Sequence, residues 1–210
     1  MPTATKTPAN KGERYPVETL TRDEVGRLLE AIPGQSSTAL RNRALIATMY
    51  RGGLRVSEAL AIRPGDVDAD SGELLIRKAK GRKSRRVKLD DGALGLVNLW
   101  RERRSALGFG GRRPLFCALK GASAGGELKP AYVRRLLPQL AERAGLEKRV
   151  HPHGLRHSRA AELAAEGVPV NVIQQVLGHT SLSTTNTYLA HVHPAQVFAA
   201  MASDWQPPTT

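Results

Sequence analysis

The chain has 210 residues, 40% of them hydrophobic, which suffices for one domain with a real core and at most a small addition. Its 32 lysines and arginines exceed 19 acidic residues by +13, which favours a polyanionic partner, nucleic acid before a membrane surface. No segment approaches the ~18 apolar residues of a spanning helix, and the N-terminus lacks the apolar core of a secretory signal. The single cysteine, Cys117, excludes an internal disulfide and a cysteine zinc site, so we expect a reducing, cytoplasmic setting with Cys117 as a small packing residue.

The first part of the chain predicts a tail followed by helices. Residues 1–18 are polar and basic, and we expect a disordered tail there. Thr21 and Glu24 have the spacing of a capping box, and the apolar residues after them recur with a helical period up to Pro33. A second helix is predicted over about 37–51, ended by paired glycines.

The hydrophobic pattern changes in the middle of the chain. A short helix is predicted after Arg55, and residues 73–77 and 85–89 then flank a basic loop as the two strands of a β-hairpin. Asp90 or Asp91 is predicted to cap the following helix. The pattern therefore combines helices with one small antiparallel sheet.

The remainder of the chain is predicted to be helical after a loop-rich stretch. Residues 108–126 hold many glycines, with a short strand expected at Leu115-Phe116. Helices are predicted at about 130–144, 154–166, 170–177, 183–189 and 194–202. No repeat or linker divides the chain, so the fold class is a mostly helical α+β domain over residues 19–203, with a loose tail over 204–210.

Six residues spread over more than half of the chain supply the groups that phosphodiester chemistry needs. Two guanidiniums, an ammonium and two imidazoles can stabilise a phosphate under attack, and a tyrosine can act as the nucleophile. These residues are Arg55, Lys80, His153, Arg156, His179 and Tyr188.

The sequence around these six residues resembles one known family. The contexts are Y-R-G-G-L-R-V-S-E (50–58), A-K-G-R-K-S-R-R-V (79–87), H-G-L-R-H (153–157), L-G-H-T-S-L-S-T-T (177–185) and N-T-Y (186–188). Over about residues 19–200 the chain resembles the catalytic domain of the tyrosine site-specific recombinases, the phage integrase and Xer family. The resemblance implies cleavage and rejoining of double-stranded DNA without a cofactor, within a tetramer on two DNA sites.

The resemblance also implies how the reacting bond is handled. Tyr188 would attack the scissile phosphate and retain the DNA 3′ end as a phosphotyrosine. Arg55 and Arg156 would bind the non-bridging oxygens, because a guanidinium matches phosphate geometry. The phosphotyrosyl link stores the energy of the broken bond, which fits the absence of a Gly-rich nucleotide loop from the sequence.

Further roles are implied for the remaining basic residues. Lys80 would be the general acid toward the leaving 5′ oxygen, with Lys83 as the alternative if the register of the loop differs. His153 would act as an acid/base or phosphate donor and His179 as a phosphate donor, while Glu58 would orient the basic groups. The loop residues predicted to contact DNA phosphates are Arg82, Lys83, Arg85 and Arg86.

Several alternatives remain open from the sequence. Metal binding by His151, His153 and His157, or by His191 and His193, lacks a companion cysteine or glutamate at ligand spacing, so no metal is expected. A type IB topoisomerase would use a similar constellation, and a DNA-binding regulator could retain the fold without the chemistry. Typical relatives carry a preceding DNA-clamping domain, so the chain is expected to be an excised catalytic domain, a compact recombinase, or a protein that needs an accessory DNA-binding partner.

Overall fold

The computed structural model describes residues 18–77 and 84–178, and these residues form a mostly helical α+β fold with one two-stranded sheet, as predicted. The elements in chain order are α1 (Arg22–Glu30), α2 (Ser37–Arg51), α3 (Val56–Ala61), a 3-10 turn (Pro64–Asp66), β1 (Glu73–Ile76), β2 (Arg85–Lys88), α4 (Asp91–Ala106), α5 (Pro130–Arg143), α6 (Pro152–Ala165) and α7 (Val170–Leu177). The predicted tails and the helices predicted at 183–189 and 194–202 lie outside the described residues, apart from Glu18. No described helix combines the length and the apolar character needed to cross a membrane.

Polar side chains begin the helices where the sequence indicated. The Thr21 hydroxyl accepts from the backbone N–H of Glu24 at 3.2 Å, and the Glu24 carboxylate accepts from the N–H of Thr21 at 2.8 Å. This reciprocal pair confirms the capping box of α1. Asp90, not Asp91, caps α4, because its carboxylate accepts from the N–H of Ala93 at 3.0 Å.

Helix α2 lies at the centre of the fold. It packs against α4 and α6, and it also contacts α1 and α3. Every residue from Ala44 to Tyr50 is buried, so the C-terminal half of the helix is covered on all sides. Trp100 of α4 is fully buried as well, and its indole N–H donates to the carbonyl of Leu115 at 2.9 Å.

The predicted β-hairpin is confirmed. β1 and β2 pair antiparallel with Glu73 opposite Lys88 and Ile76 opposite Arg85. Leu74, Ile76 and Val87 bury their side chains, while alternate positions remain more exposed. Lys88 is therefore the last paired residue of β2.

One predicted strand and one predicted helix start were wrong. Leu115-Phe116 is not a strand: both residues are fully buried, the N–H of Leu115 donates to the carbonyl of Ile62 at 2.7 Å, and the nearby bridge pairs Cys117 with Glu127. Helix α6 begins at Pro152 and not at 154, because His151 caps it through its Nδ1, 3.2 Å from the N–H of Gly154. A proline at the first helical position costs no hydrogen bond there.

The end of α7 is held against α6 by a small apolar cluster. Ala160 and Leu163 of α6 pack with Ile173 and Leu177 of α7, separately from the main core. Gly178 ends α7 with a φ of +64°, the left-handed conformation that a terminating glycine adopts. The small cluster thus fixes where the chain leaves α7.

Candidate active site

The turn that precedes Arg55 brings distant parts of the chain together. Gly53 has a φ of +58°, which favours glycine. A Cβ at this position would lie 2.7 Å from Leu177 Cδ2, so the turn packs directly against the end of α7. Arg55 follows as the cap residue of α3, with 21% of its side chain exposed. The glycine that helps end α2 therefore also lets α7 approach the turn of Arg55.

The carboxylate of Glu58 fixes the side chain and backbone of Arg55. The backbone N–H of Arg55 donates to Glu58 Oε2 at 2.9 Å, and its Nη1 donates to Oε1 at 3.0 Å. Burial alone would raise the pKa of Glu58, but hydrogen bonds and charges from Arg85 and Arg55 lower it to about 2. Glu58 is thus an anion at neutral pH, which is the state that its predicted orienting role requires.

Arg156 lies between the Gly53 turn and α7. It is only 2% exposed, and its Nη1 donates to the carbonyl of Gly53 at 2.6 Å. Its Nη2 donates to the carbonyl of Leu177, also at 2.6 Å. The guanidinium is planar, so two bonds from its two terminal nitrogens set the plane in which it lies. The structure therefore holds Arg156 rigidly beside the turn that leads to Arg55.

His153 shares the first turns of α6 with Arg156 and lies within the field of both arginines. Burial, followed by the charges of Arg156, Arg55 and Arg134, lowers its pKa. The imidazole is consequently neutral at neutral pH, able to donate from one nitrogen and accept at the other. His153 lines a cavity of about 570 Å³ together with Val56, Arg134 and His151. A phosphate in this position would favour the charged form of the imidazole.

The other histidines of α6 do not form a metal centre in the described part of the chain. The rings of His153 and His157 are 6.2 Å apart between centroids. Burial and the neighbouring His153, His151 and Arg156 lower the pKa of His157 to about 4. No cluster of three histidine, cysteine or acidic side chains suited to a metal occurs within 18–77 and 84–178, while His191 and His193 lie outside those ranges.

Arg85 and Arg86 occupy different environments, although both were predicted to contact DNA. Arg86 is exposed over 67% of its side chain and pairs with Glu73 on the opposite strand, so its DNA contact stays a prediction. Arg85 is only 14% exposed, and its guanidinium bonds to Glu58 and to the carbonyl of Val176. These bonds direct the Arg85 guanidinium into the protein, and its predicted contact with DNA stays a prediction as well.

The remaining predicted site residues lie outside the described residues: Lys80, Arg82, Lys83, His179 and Tyr188. Their neighbours along the chain do reach the site. Arg85 begins the strand after the Lys80 segment and contacts Glu58. His179 directly follows Gly178, and the preceding carbonyl of Leu177 accepts from Arg156. The structure thus brings together Arg55, His153 and Arg156, with Glu58 and Arg85 behind them.

Two features of this site escaped the sequence interpretation. Arg134 of α5 acts on His153 through space, but nothing in the local pattern of α5 indicates which way it points. The carbonyls at the end of α7 accept from two arginines that lie far away in sequence. A helix end always leaves carbonyls without intrahelical donors. The sequence therefore predicted that the carbonyls at the end of α7 need donors, but it did not predict which residues supply them.

Comparison with known proteins agrees with this geometry. The model of the phage integrase family matches residues 18–194. Tyrosine recombinase XerC of Halalkalibacterium halodurans is 37% identical over 187 residues, which cover 85% of this chain and 59% of that protein. The chain spans 59–61% of the length of the first curated relatives that it matches.

Solved structures of similar shape belong to the same group. The crystal structure of XerA recombinase has a TM-score of 0.77 at 25% identity, covering 92% of this chain and 68% of the other. The XerH site-specific recombinase bound to its palindromic difH substrate, a post-cleavage complex, has a TM-score of 0.73 at 29% identity, covering 90% of this chain and 54% of the other. Sequence motifs, fold and site geometry coincide, and the chain belongs to the phage integrase family.

Proposed function

We propose that this chain is the catalytic part of a site-specific DNA recombinase, which cleaves and rejoins DNA through a covalent 3′-phosphotyrosyl intermediate. The observation that carries the proposal is the convergence of Arg55, Arg156 and His153 beside the buried anion Glu58. Two fixed guanidiniums and a neutral imidazole form a site for a phosphodiester and not for a hydrophobic ligand.

Each described residue has a definite part in the proposed cleavage step. Arg55 and Arg156 donate to the non-bridging oxygens and stabilise the charge of the pentavalent transition state. His153 donates to the same phosphate or exchanges a proton with the reacting groups. Glu58 holds Arg55 in place and keeps the local charge from rising further.

The bond exchange itself rests on residues outside the described ranges. The phenolic oxygen of Tyr188 forms the bond to phosphorus as the bond from phosphorus to the 5′ oxygen breaks. The phenolic proton passes to a base, and Lys80 gives a proton to the leaving 5′ oxygen. His179 donates to a phosphate oxygen. Reversal of these steps rejoins the strand and needs neither a metal nor a nucleotide cofactor.

Double-stranded DNA is the proposed substrate. The net charge of +13 supports it, as do the XerH structure and a Tn1549 transposon integrase structure, which were solved in complex with DNA. Arg86, with Arg82 and Lys83 of the hairpin loop, would contact the DNA backbone. The cytoplasm is the proposed location, since a chain with a single cysteine fits a reducing compartment.

Assembly is also part of the proposal. Residues 19–203 would form one catalytic domain, flanked by a basic tail over 1–18 and a loose tail over 204–210. Four copies would act together on two DNA sites, so that strands can be exchanged between duplexes. The opposite face of the DNA would be clamped by an accessory protein or by a further domain.

The experiment is incubation with nicked suicide DNA that carries candidate sites, scored for a covalent protein–DNA adduct on denaturing gels. The wild-type protein should form the adduct and Tyr188→Phe should form none while binding DNA nearly as well. Peptide mapping should place the adduct on Tyr188. Equal adduct from the Phe variant would remove Tyr188 from its role.

The described tyrosines are poor substitutes for Tyr188 as the nucleophile. Burial and the nearby Glu162 raise the pKa of Tyr50 to about 12, which disfavours its phenolate. The hydroxyl of Tyr132 is held by Arg41 at 2.6 Å and by Asn42 at 3.0 Å, away from the Arg55 turn. An adduct that mapped to either residue would contradict both the assignment and this reading of the structure.

A further inference from the structure

Arg85 sits where three parts of the candidate site meet. It is the first residue of β2, and its side chain is 14% exposed. Its Nη1 donates to Glu58 Oε1 at 3.1 Å and its Nη2 donates to Oε2 at 2.9 Å. This is the paired geometry in which a guanidinium binds a carboxylate most specifically. The start of β2 is therefore fixed to the beginning of α3.

The same carboxylate oxygens also hold Arg55. Oε1 accepts from Arg55 Nη1 and Oε2 accepts from its backbone N–H, at 3.0 and 2.9 Å. Each oxygen of Glu58 is thus shared between Arg55 and Arg85. Loss of Arg85 would remove one of the two donors to each of these oxygens, so Glu58 would hold the side chain of Arg55 less firmly.

The third contact of Arg85 is with the end of α7. Its Nε donates to the carbonyl of Val176 at 2.9 Å, one of the last carbonyls of that helix. A Cβ on Gly178 would lie 2.9 Å from Arg85 Nη1 and 3.0 Å from its Cζ, so the absence of a side chain at Gly178 lets the Arg85 side chain approach closely. Arg85 therefore fixes the direction in which the chain leaves α7 toward His179.

We propose that Arg85 is a positioning residue for DNA cleavage, which couples the Lys80 hairpin, the Arg55 turn and the exit of α7 through one guanidinium. This inference rests on the proposed function. It assigns Arg85 no contact with DNA. A lysine cannot replace it, because a single ammonium cannot reach both carboxylate oxygens and the Val176 carbonyl in one plane.

Two simpler roles predict different behaviour. If Arg85 only bound DNA phosphate, its loss would weaken DNA affinity in proportion to the loss of cleavage. If it only stabilised the fold, its loss would lower the melting temperature and leave the cleavage rate of folded protein unchanged. A positioning residue that acts through Glu58 instead lowers the rate at saturating DNA, and its effect does not add to that of Glu58.

The test compares single-turnover adduct formation at saturating suicide DNA for Arg85→Met, Glu58→Gln and the double variant. We expect each single change to slow cleavage roughly tenfold or more, with the double variant no slower than the slower single one. Affinity for DNA should change less than about twofold. Arg77→Met is the matched control, because Arg77 is an ion-paired arginine just after β1, next to the strand partner of Arg85, and it bonds to Asp66 instead of Glu58.

Three results would overturn the inference: wild-type cleavage by Arg85→Met, multiplied losses in the double variant, or a fall in affinity that matches the fall in rate. Should Arg85→Met fail to fold, Arg85→Lys decides, and it must show the same rate loss in folded protein. Amide hydrogen exchange gives a readout independent of cleavage, since the last turn of α7 should exchange faster in both Arg85 variants than in Arg77→Met. If wild-type protein forms no adduct, the proposed function fails and the positioning role of Arg85 in cleavage fails with it. Unchanged hydrogen exchange in the last turn of α7 would instead refute only the proposed coupling between Arg85 and the end of α7.

Discussion

Glu58, which is buried, and Glu162, which is half-buried, each bind at least two arginines, yet they hold different parts of the protein in place. The side chain of Glu58 is 6% exposed and that of Glu162 is 11% exposed. Burial works against the charge of both, and hydrogen-bonded arginines nevertheless lower both pKa values to about 2. By electrostatics alone the two sites are nearly equivalent.

The partners of Glu162 belong to the scaffold. Both of its oxygens lie 2.9 Å from Arg51 Nη1, and Arg159 Nη1 donates at 2.6 Å. Arg22 of α1 also donates to Glu162. Helices α1, α2 and α6 are thereby joined at one carboxylate. The partners of Glu58, in contrast, are Arg55 and Arg85, which lie at the candidate active site.

The comparison shows that two carboxylates with equally lowered pKa values can have different roles. A buried ion pair is costly to break wherever it lies, because the remaining charge loses its partner in a poorly solvated place. Whether the break is felt as lost activity or as lost stability depends on what the arginine was orienting. We therefore expect changes at Glu58 and its arginines to lower mainly the cleavage rate, and changes at Glu162 and its arginines to lower mainly the stability of the fold.

The largest expected effect concerns the arginines on the active-site side. Arg55→Ala and Arg156→Ala each remove a cation from the developing phosphorane, so cleavage should fall ~10²-fold or more, a loss on the order of 2–4 kcal/mol. Rates of adduct formation on suicide DNA measure this. Comparable activity in either variant would exclude that residue from the site.

Stability should distinguish those two variants. Arg55→Ala leaves Glu58 with both of its bonds from Arg85, so the loss of Arg55 should change the free energy of unfolding little. Arg156→Ala leaves the buried carbonyls of Gly53 and Leu177 without their donor, a cost of about 1–3 kcal/mol. Denaturant unfolding of both variants checks the difference, and cleavage must be measured where each is folded.

A chemical substitution in the DNA sharpens the assignment of Lys80. A thiolate leaves without a proton, so a 5′-bridging phosphorothioate makes a general acid dispensable. It should restore cleavage by Lys80→Ala but not by Arg156→Ala. Restoration of Lys83→Ala in place of Lys80→Ala would mean that the register of the hairpin loop differs from the predicted one.

A change at Glu162 should alter the free energy of unfolding and the way in which that free energy depends on pH. Glu162→Gln should lower the free energy of unfolding at pH 7 by on the order of 3 kcal/mol. The pKa of Glu162 is depressed in the folded state to about 2 from its ordinary 4.5, so this contribution is complete above about pH 4.5 and is lost as pH falls toward 2. The difference between wild type and Glu162→Gln, measured by denaturant titration, should therefore shrink over that range. Glu166→Gln, more exposed, is the control, and a pH-independent difference would contradict the argument.

The smallest expected effect concerns the C-terminal segment, which lies outside the described residues. Ala195, Val197, Phe198 and Met201 would form one apolar face of a short helix, which has little stability alone and needs a partner surface. We expect truncation after Ala190 to leave a folded monomer that binds DNA but loses cooperative assembly on paired sites. Gel-shift titration checks this, and outright unfolding would show that the segment belongs to its own core.

Local signals in the sequence predicted most of the described fold. The capping box at Thr21, the cap at Asp90 and the glycines that end α2 all depend on residues a few positions apart, and each was predicted from the sequence. The strand expected at Leu115-Phe116 failed because burial of apolar residues does not require a ladder partner. The apolar sequence of this segment predicts that it is buried, but it does not predict that it pairs with another strand.

The sequence predicted which residues form the candidate site, but it did not predict how their side chains are arranged. The sequence motifs indicated Arg55, His153 and Arg156, which the fold does bring together. They gave Arg85 the same expected role as Arg86, because both stand in one basic run. The difference arises from β-strand alternation combined with two distant acceptors, Glu58 and the Val176 carbonyl, which only the folded chain places beside Arg85.

The most direct test of this account compares the single-turnover cleavage rates of Glu58→Gln and Glu162→Gln at saturating DNA, at a temperature where both variants are folded. Both changes replace a carboxylate of pKa about 2 by a neutral isostere, which removes one anion from a group of arginines. The account predicts that Glu58→Gln cleaves roughly tenfold more slowly than wild type or worse, while Glu162→Gln stays within about twofold of wild type despite its lower stability. Equal rates for the two variants, or a greater loss from Glu162→Gln, would contradict the claim that Glu58 aligns the catalytic groups.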